Sequence, residues 1–164
     1  MGKTLILVGP MGVGKTTFGK RLAKKCELPF TDTDSLISKT HGSISSIFQR
    51  FGEAHFRQLE ELSLADAIAT GGVVATGGGV VMSSVNRELL KAHHTVFLDS
   101  NMDFVLRSLN IKRRPLLKDD PANWGRLYDS RLASYQEVAT TTINTADRSA
   151  KAVLEILEKE IAKL

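Results

Sequence analysis

The chain has 164 residues and a mass of 17.9 kDa, with 42% hydrophobic and 24% charged residues, which predicts one domain over residues 1–164. The single cysteine, Cys26, excludes a disulfide scaffold and favours the cytoplasm, and the lack of an apolar run of roughly 20 residues excludes a membrane span. The formal charge of +4 favours anionic partners, but the basic residues are scattered, so we expect small anionic ligands and no nucleic acid.

Apolar runs alternate with helical patterns along the chain. The first run, residues 4–8, begins too close to Met1 for a signal peptide. Strands are predicted at 4–8, 29–31, 73–76, 95–98 and 141–144. Helices are predicted at 15–25, from a cap at Ser43, at 53–69, at 86–92, through Val105 and Leu109, at 124–138 and at 150–163. This alternation predicts an α/β fold with a parallel sheet covered on both faces, and ligands beyond the carboxyl ends of its strands.

Several helical side chains are assigned to the core or to the surface. The residues expected in the core are Phe48, Phe51, Phe56, Leu59, Leu62 and Leu64. For the phenylalanines, the alternative is that some of them form the wall of a substrate cavity. Glu160 is expected on a solvated face of the last helix.

The first strand is followed by a phosphate-binding motif, GPMGVGKT at residues 9–16. Glycines let backbone N–H groups approach phosphate oxygens, and the N-terminus of the next helix favours negative charge. The lysine of this motif can reach the β- and γ-phosphates, and the threonine hydroxyl can bind Mg²⁺. No N-K-x-D run for guanine is present. The residues expected to bind ATP here are Gly12, Val13, Gly14, Lys15, Thr16 and Thr17.

Two carboxylates, Asp32 and Asp34, follow the second strand. If the backbone is extended here, residues two apart project from the same side of the chain, toward one site. One of these carboxylates can hold Mg²⁺ through its waters while the other orients an acceptor hydroxyl, and we expect Asp32 to be the magnesium ligand, together with Thr16. The alternative is that one of these aspartates caps the following helix.

In this order and spacing, the motifs resemble those of the shikimate kinase family, whose members have the fold of nucleoside-monophosphate-kinase-like P-loop proteins. The resemblance covers essentially the whole chain and includes the phosphate-binding motif and the Asp32-x-Asp34 pair. Its other parts are Phe56-Arg57-x-x-Glu60, Gly77-Gly78-Gly79 and Arg114-Pro115-Leu116-Leu117. It implies a three-layer α/β/α fold with five parallel strands, substrate-binding helices at about 33–61 and a mobile lid at about 110–124. The implied reaction transfers the ATP γ-phosphoryl group to the 3-hydroxyl of shikimate, in a monomer that uses Mg²⁺.

The resemblance also implies roles for the residues that would hold shikimate. Asp34 would bind ring hydroxyls and is the candidate general base, and Arg57 would pair with the carboxylate of the substrate. Arg131 is similar to a second carboxylate-binding arginine of the family. Gly78 would offer its backbone N–H, with Gly77 and Gly79 shaping the turn. The family usually has a proline between the second arginine and the following tyrosine, and this chain has none there, so we expect an unbroken helix.

The nucleotide side is assigned by the same resemblance. Lys15 and Arg114 would be catalytic, with Arg114 brought to the phosphates by closure of the lid. Arg107 and Arg148 would flank the adenine ring.

Two kinds of alternative stay open from the sequence alone. Arg57 could be an ordinary helical charge paired with Glu53, Glu60 or Glu61. The protein could also be another small-molecule kinase of the same architecture, such as a gluconate kinase, or a nucleotide-dependent switch that binds a protein partner.

Overall fold

In the computed structural model, which describes residues 3–108 and 120–164, five parallel strands form one sheet. The strands are β1 (Thr4–Val8), β2 (Phe30–Asp32), β3 (Gly72–Ala75), β4 (His94–Asp99) and β5 (Thr141–Asn144). Their order across the sheet is β2-β3-β1-β4-β5. The predicted parallel α/β sheet is therefore confirmed.

Helices connect the strands and lie on both faces of the sheet. In the described part of the chain they are α1 (Lys15–Lys25), α2 (Thr33–His41), α3 (Ile44–Thr70), α4 (Ser84–Lys91), α5 (Met102–Ser108), α6 (Asn123–Val138) and α7 (Ala150–Ala162), with a short 3₁₀ turn at Val80–Met82. The side chain of Ser43 caps α3 by accepting the N–H of Ser46 at 3.2 Å, as the sequence predicts. None of the described helices is both long enough and apolar enough to span a membrane.

Strand β1 is apolar throughout because both of its faces are buried. Leu5 and Leu7 pack into one hydrophobic cluster together with residues of α1 and α7. Ile6 and Val8 point to the opposite face and pack with residues of α3, α4 and α6. The sheet is thus the middle layer of three, and its core lies on both sides of β1.

The strand order brings three loops to one edge of the sheet. Leu7 of β1 and Asp32 of β2 are both in register with Ala75 of β3, one on each side. Because the strands are parallel, the segments that follow β1, β2 and β3 leave the sheet next to one another. These segments carry the phosphate-binding motif, the two aspartates and the glycine triplet.

Helix α3 bends where the sequence predicts a break between two helices, and one of its predicted core positions is wrong. It is kinked at Gly52, whose φ of 83° and ψ of 173° are not helical. Leu62 is 65% exposed, so its predicted core position is wrong. At 100° per residue Leu62 lies roughly 200° around the helix from the buried Leu64, on the opposite face.

The predicted core position is also wrong for two aromatic residues that precede the kink. Phe48 is 37% exposed and Phe51 is 56% exposed, whereas Phe56 is buried. Residues up to the kink pack on α2 and Phe56 rather than on the sheet. This part of α3 stands out from the sheet, so fewer atoms cover its side chains.

Glu160, predicted on a solvated face of α7, is buried. Its carboxylate accepts hydrogen bonds from Lys163 Nζ at 2.5 Å, His94 Nε2 at 2.8 Å and Thr141 Oγ1 at 3.0 Å. Burial alone would raise the pKa of the Glu160 carboxyl, but these three donors outweigh burial and lower it. The carboxylate therefore links α7 to the beginnings of β4 and β5.

Candidate functional site

The loop after β1 is shaped by glycines and held by Lys15. Gly12 and Gly14 have φ of 82° and 99°, values that residues other than glycine rarely adopt. Lys15 is buried, and its Nζ donates to the carbonyls of Gly9 at 2.6 Å and Pro10 at 2.9 Å. Helix α1 begins at Lys15, so its first amides and the ammonium group lie at one place. Such a cradle binds anionic oxygen groups.

Thr16 and Asp32 face each other across the start of α1 and the end of β2. Thr16 Oγ1 donates to Asp32 Oδ2 at 2.5 Å, and Asp32 Oδ1 accepts the N–H of Ser35 at 3.0 Å as the cap of α2. The capping alternative is therefore right for Asp32, and this aspartate also contacts Thr16. A hydroxyl and a carboxylate oxygen beside a phosphate cradle fit Mg²⁺, which prefers a few oxygen ligands and keeps several waters.

The expected extended backbone between Asp32 and Asp34 is wrong, because α2 begins at Thr33. Capping by Asp32 starts the helix one residue before Asp34, which lies in its first turn. Both aspartates nevertheless line one cavity of about 650 Å³, which also contains the phosphate-binding loop. We name it the loop cavity.

A second cavity, of about 420 Å³, adjoins the first and contains two arginines. We name it the arginine cavity. Arg57 and Arg131 line it, together with Phe48 and Phe56, so the alternative that phenylalanines wall a cavity is right for these two. The residues that line both cavities are Met11, Asp34, Gly77 and Gly78. The cavities thus meet at Asp34 and the glycine triplet.

Arg57 is fixed by carboxylates and by a backbone carbonyl. Its Nη1 donates to Glu60 Oε1 at 2.9 Å and to the carbonyl of Gly79 at 3.1 Å, and its Nη2 lies 3.2 Å from Glu53 Oε1. The alternative pairing with Glu53 and Glu60 is therefore correct, but the side chain is only 17% exposed and is not a solvated charge. Burial raises the pKa of the Glu60 carboxyl, and Arg57 offsets part of that rise.

Glycines 77 and 79 are required by the close approach of two side chains. A Cβ added at Gly77 would lie 2.7 Å from Asp34 Oδ1. A Cβ added at Gly79 would lie 2.6 Å from Arg57 Nη2 and closer still to Nη1. Any larger residue would displace the carboxylate or the guanidinium from the wall of the arginine cavity.

Arg131 enters the arginine cavity from α6, which runs unbroken from Asn123 to Val138 as expected from the missing proline. Within the described residues its Nε is buried and has no hydrogen-bond partner. Tyr135, one turn later, donates its hydroxyl to the carbonyl of Gly78. Burial raises the pKa of Tyr135 to about 12, so the phenol remains a donor at neutral pH. The unpaired N–H of Arg131 favours an anionic ligand here.

Residues 11–161 match the family model described as shikimate kinase. The chain belongs to the shikimate kinase family. The shikimate kinase of Pseudomonas syringae pv. syringae is 43% identical, over 96% of this chain and 95% of the relative. The structure of the shikimate kinase from Acinetobacter baumannii in complex with shikimate has a TM-score of 0.90 and 34% identity, and the match covers 99% of this chain and 94% of that one. A gluconokinase from Sinorhizobium meliloti shares the fold only, at 15% identity and a TM-score of 0.59.

Not every residue that the resemblance to shikimate kinases indicated lies in the two cavities. Arg107 donates from Nε to the carbonyl of Asp103 in its own helix, and Arg148 donates to the carbonyl of Asn144. Both arginines are exposed and line neither cavity, so their adenine contacts stay predictions. Arg114 and the other residues at 110–119 of the predicted lid lie outside the described residues, and so does Leu109 of the helix predicted through Val105.

Part of the lining of the loop cavity was not predicted from the sequence. Phe104 and Ser108 of α5 and Ala150 of α7 line it, and so does Arg21 of α1. These four residues belong to no sequence motif, because only the packing of three separate helices brings them together. The predicted lid range of about 110–124 overlaps α6 at its end, because this helix begins at Asn123 and Trp124 is buried.

Proposed function

We propose that this chain transfers the γ-phosphoryl group of ATP to the 3-hydroxyl of shikimate, giving ADP and shikimate 3-phosphate for aromatic amino acid biosynthesis. The observation that carries this proposal is the junction of the two cavities. One holds a phosphate cradle and the other holds two arginines, and Asp34 borders both. Membership of the shikimate kinase family identifies the acceptor that fits the second cavity.

The donor nucleotide occupies the loop cavity in this proposal. Backbone amides of residues 12–17 and the ammonium of Lys15 bind the β- and γ-phosphates. Thr16 and Asp32 hold Mg²⁺, which when bound would neutralise part of the phosphate charge. Arg114 approaches the phosphates from a lid at about 110–124, and Arg107 and Arg148 flank the adenine.

The acceptor occupies the arginine cavity, between the helices at about 33–61 and α6. Its carboxylate pairs with the guanidinium of Arg57 and with Arg131, whose planar forks suit two parallel hydrogen bonds. Glu60 and the carbonyl of Gly79 orient Arg57, and the backbone of Gly78 contacts the ring hydroxyls. Each hydrogen bond between charged groups contributes about 1.5–3 kcal/mol, so two arginines suffice to fix a small acid.

The transfer step takes place where the cavities meet. The oxygen of the 3-hydroxyl forms a bond to the γ-phosphorus while the bond from that phosphorus to the bridging oxygen of ADP breaks. Asp34 orients the hydroxyl, and the proton leaves toward its carboxylate. Because the chemistry consists largely of positioning and charge stabilisation, the residues of this chain act mainly by holding two anions side by side.

The remaining expectations complete the proposal. We expect one domain, a monomer in the cytoplasm, and no nucleic-acid partner.

A coupled assay of ADP formation tests the proposed function. Shikimate, gluconate and no acceptor are compared at saturating ATP and Mg²⁺. We expect rapid ADP formation with shikimate alone. Activity only with gluconate would identify a different sugar-acid kinase, and slow hydrolysis independent of any acceptor would indicate a nucleotide switch; either result would contradict the proposal.

A further inference from the structure

Helix α6 turns one face toward the loops that border both cavities. Trp124, Tyr128, Arg131 and Tyr135 follow one another at helical spacing on this face. Arg131 lines the arginine cavity, and Tyr135 donates to the carbonyl of Gly78. The N-terminal end of the same face reaches the phosphate-binding loop through Trp124.

Trp124 is hydrogen-bonded to the backbone of that loop. Its indole Nε1 donates to the carbonyl of Met11 at 2.9 Å. The indole is 3% exposed and stacks on the ring of Tyr128, with centroids 5.1 Å apart and planes 10° apart. The cleft between this face and Pro10 and Met11 has a volume of only about 10 Å³, room for at most one water. The indole and the Met11 peptide are therefore held together.

Side chains donate hydrogen bonds to three consecutive carbonyls of the loop. A bound nucleotide would compete for one of these donors but not for the other. Lys15 holds the carbonyls of Gly9 and Pro10, whereas Trp124 holds that of Met11. A phosphate bound in the cradle competes for the ammonium of Lys15. Trp124 does not line the loop cavity, so a phosphate bound in the cradle would not compete for its indole N–H.

A shift of the loop at Met11 would change the lining of both cavities. It lines the loop cavity and the arginine cavity. Its backbone N lies 3.4 Å from where a Cβ of Gly78 would stand, so the loop after β1 packs directly on the glycine triplet. A change in the Met11 peptide would alter the separation of the two bound substrates.

We propose that Trp124 is a positioning residue for phosphoryl transfer, which fixes the Met11 peptide through its indole N–H and so aligns the donor phosphate with the acceptor hydroxyl. The inference rests on the proposed function. Trp124 contacts neither substrate in this account. Loss of its indole N–H should lower the rate of phosphoryl transfer, which requires both substrates in place, more than it weakens the binding of either substrate.

Trp124→Phe retains a buried ring and removes the indole N–H. We expect its kcat to fall about tenfold, while the Kd values of ADP and of shikimate change by less than about threefold in calorimetry. Tyr128→Phe is the matched control, because it lies in the same stack and loses a hydroxyl bonded to Asp99 at 2.8 Å, away from the loop. We expect Tyr128→Phe to retain the wild-type kcat.

A kcat of Trp124→Phe within about twofold of the wild-type value would overturn the inference. So would an equal loss in Tyr128→Phe, since the effect would then follow from packing of the shared face. If wild-type protein forms no ADP in response to shikimate, the proposed function fails instead. If the wild-type enzyme forms ADP in response to shikimate and Trp124→Phe has the same kcat, only the positioning role is contradicted.

A measurement on the wild-type chain covers the case in which Trp124→Phe does not fold. The protein has one tryptophan, so a ¹H–¹⁵N spectrum contains a single indole signal. We expect ADP alone and shikimate alone each to shift that signal, because Met11 borders both cavities. An indole signal that neither ligand moves would overturn the inference.

Discussion

Replacing Gly79 with alanine tests the arginine cavity, because the added methyl group would occupy the space of the Arg57 guanidinium. A Cβ at Gly79 would lie 2.6 Å from Nη2 and 2.8 Å from Cζ of Arg57. Non-bonded carbon atoms pack at about 3.5 Å or more, so the guanidinium would have to withdraw by roughly 1 Å. The φ of Gly79 is −94°, which alanine adopts without strain, so the effect is steric.

A displacement of about 1 Å in a substrate-positioning group can cost about 10²-fold in rate or specificity, which corresponds to about 2.8 kcal/mol. We therefore expect Gly79→Ala to raise the KM for shikimate about 100-fold. The KM for ATP should stay within about threefold of the wild-type value, because the loop cavity is untouched. Steady-state kinetics with each substrate varied in turn measure both quantities.

Gly125→Ala is the matched control for the added methyl group. A Cβ at Gly125 of α6 would meet only Met102 Sδ, at an ordinary contact distance of 3.6 Å. We expect wild-type kinetics and no loss of stability from this variant. The reasoning is refuted if Gly79→Ala keeps the wild-type KM for shikimate, or if its KM for ATP rises by the same factor.

Three further substitutions test other parts of the account. Asp34→Asn should retain ADP binding in calorimetry and lose turnover by about 10²- to 10⁴-fold; near-normal turnover would remove Asp34 from the transfer step. Asp32→Asn should still cap α2, since asparagine caps as well as aspartate, but should need about tenfold more Mg²⁺ for half-maximal rate; an unchanged Mg²⁺ requirement would argue against the metal role. The wild-type chain should lose stability as pH falls below about 4.5, because a carboxyl with a lowered folded-state pKa stabilises the fold only while ionised. Glu160→Gln should flatten that loss in urea unfolding measured from pH 7 to pH 3, and an identical pH profile would contradict it.

The parts of the molecule that the sequence predicts are those fixed by local pattern. Strand β1, helix α1 and strand β5 have the predicted bounds. Hydrophobic alternation and the phosphate-binding motif depend on neighbours in the chain, so they can be recognised without knowing the fold. The order of the motifs then predicted which loops meet at the edge of the sheet.

The wrong predictions depend on contacts between distant residues. Glu160 lies in a helix whose composition is typical of the protein surface, but its hydrogen-bond partner His94 lies 66 positions away in the chain. The bond from Trp124 to Met11 spans 113 positions. Helical period alone could not place Leu62, because the face that α3 buries is decided by what it packs against. The residues of α1, α5 and α7 that line the loop cavity were missed for the same reason.

A crystal structure with shikimate and Mg²⁺–ADP bound tests the central claim most directly. The account predicts that the carboxylate of shikimate contacts the guanidinium groups of both Arg57 and Arg131. It also predicts the 3-hydroxyl within hydrogen-bonding distance of Asp34, facing the terminal phosphate of ADP. Shikimate bound outside the arginine cavity, or inside it with the carboxylate turned away from both arginines, would contradict the account.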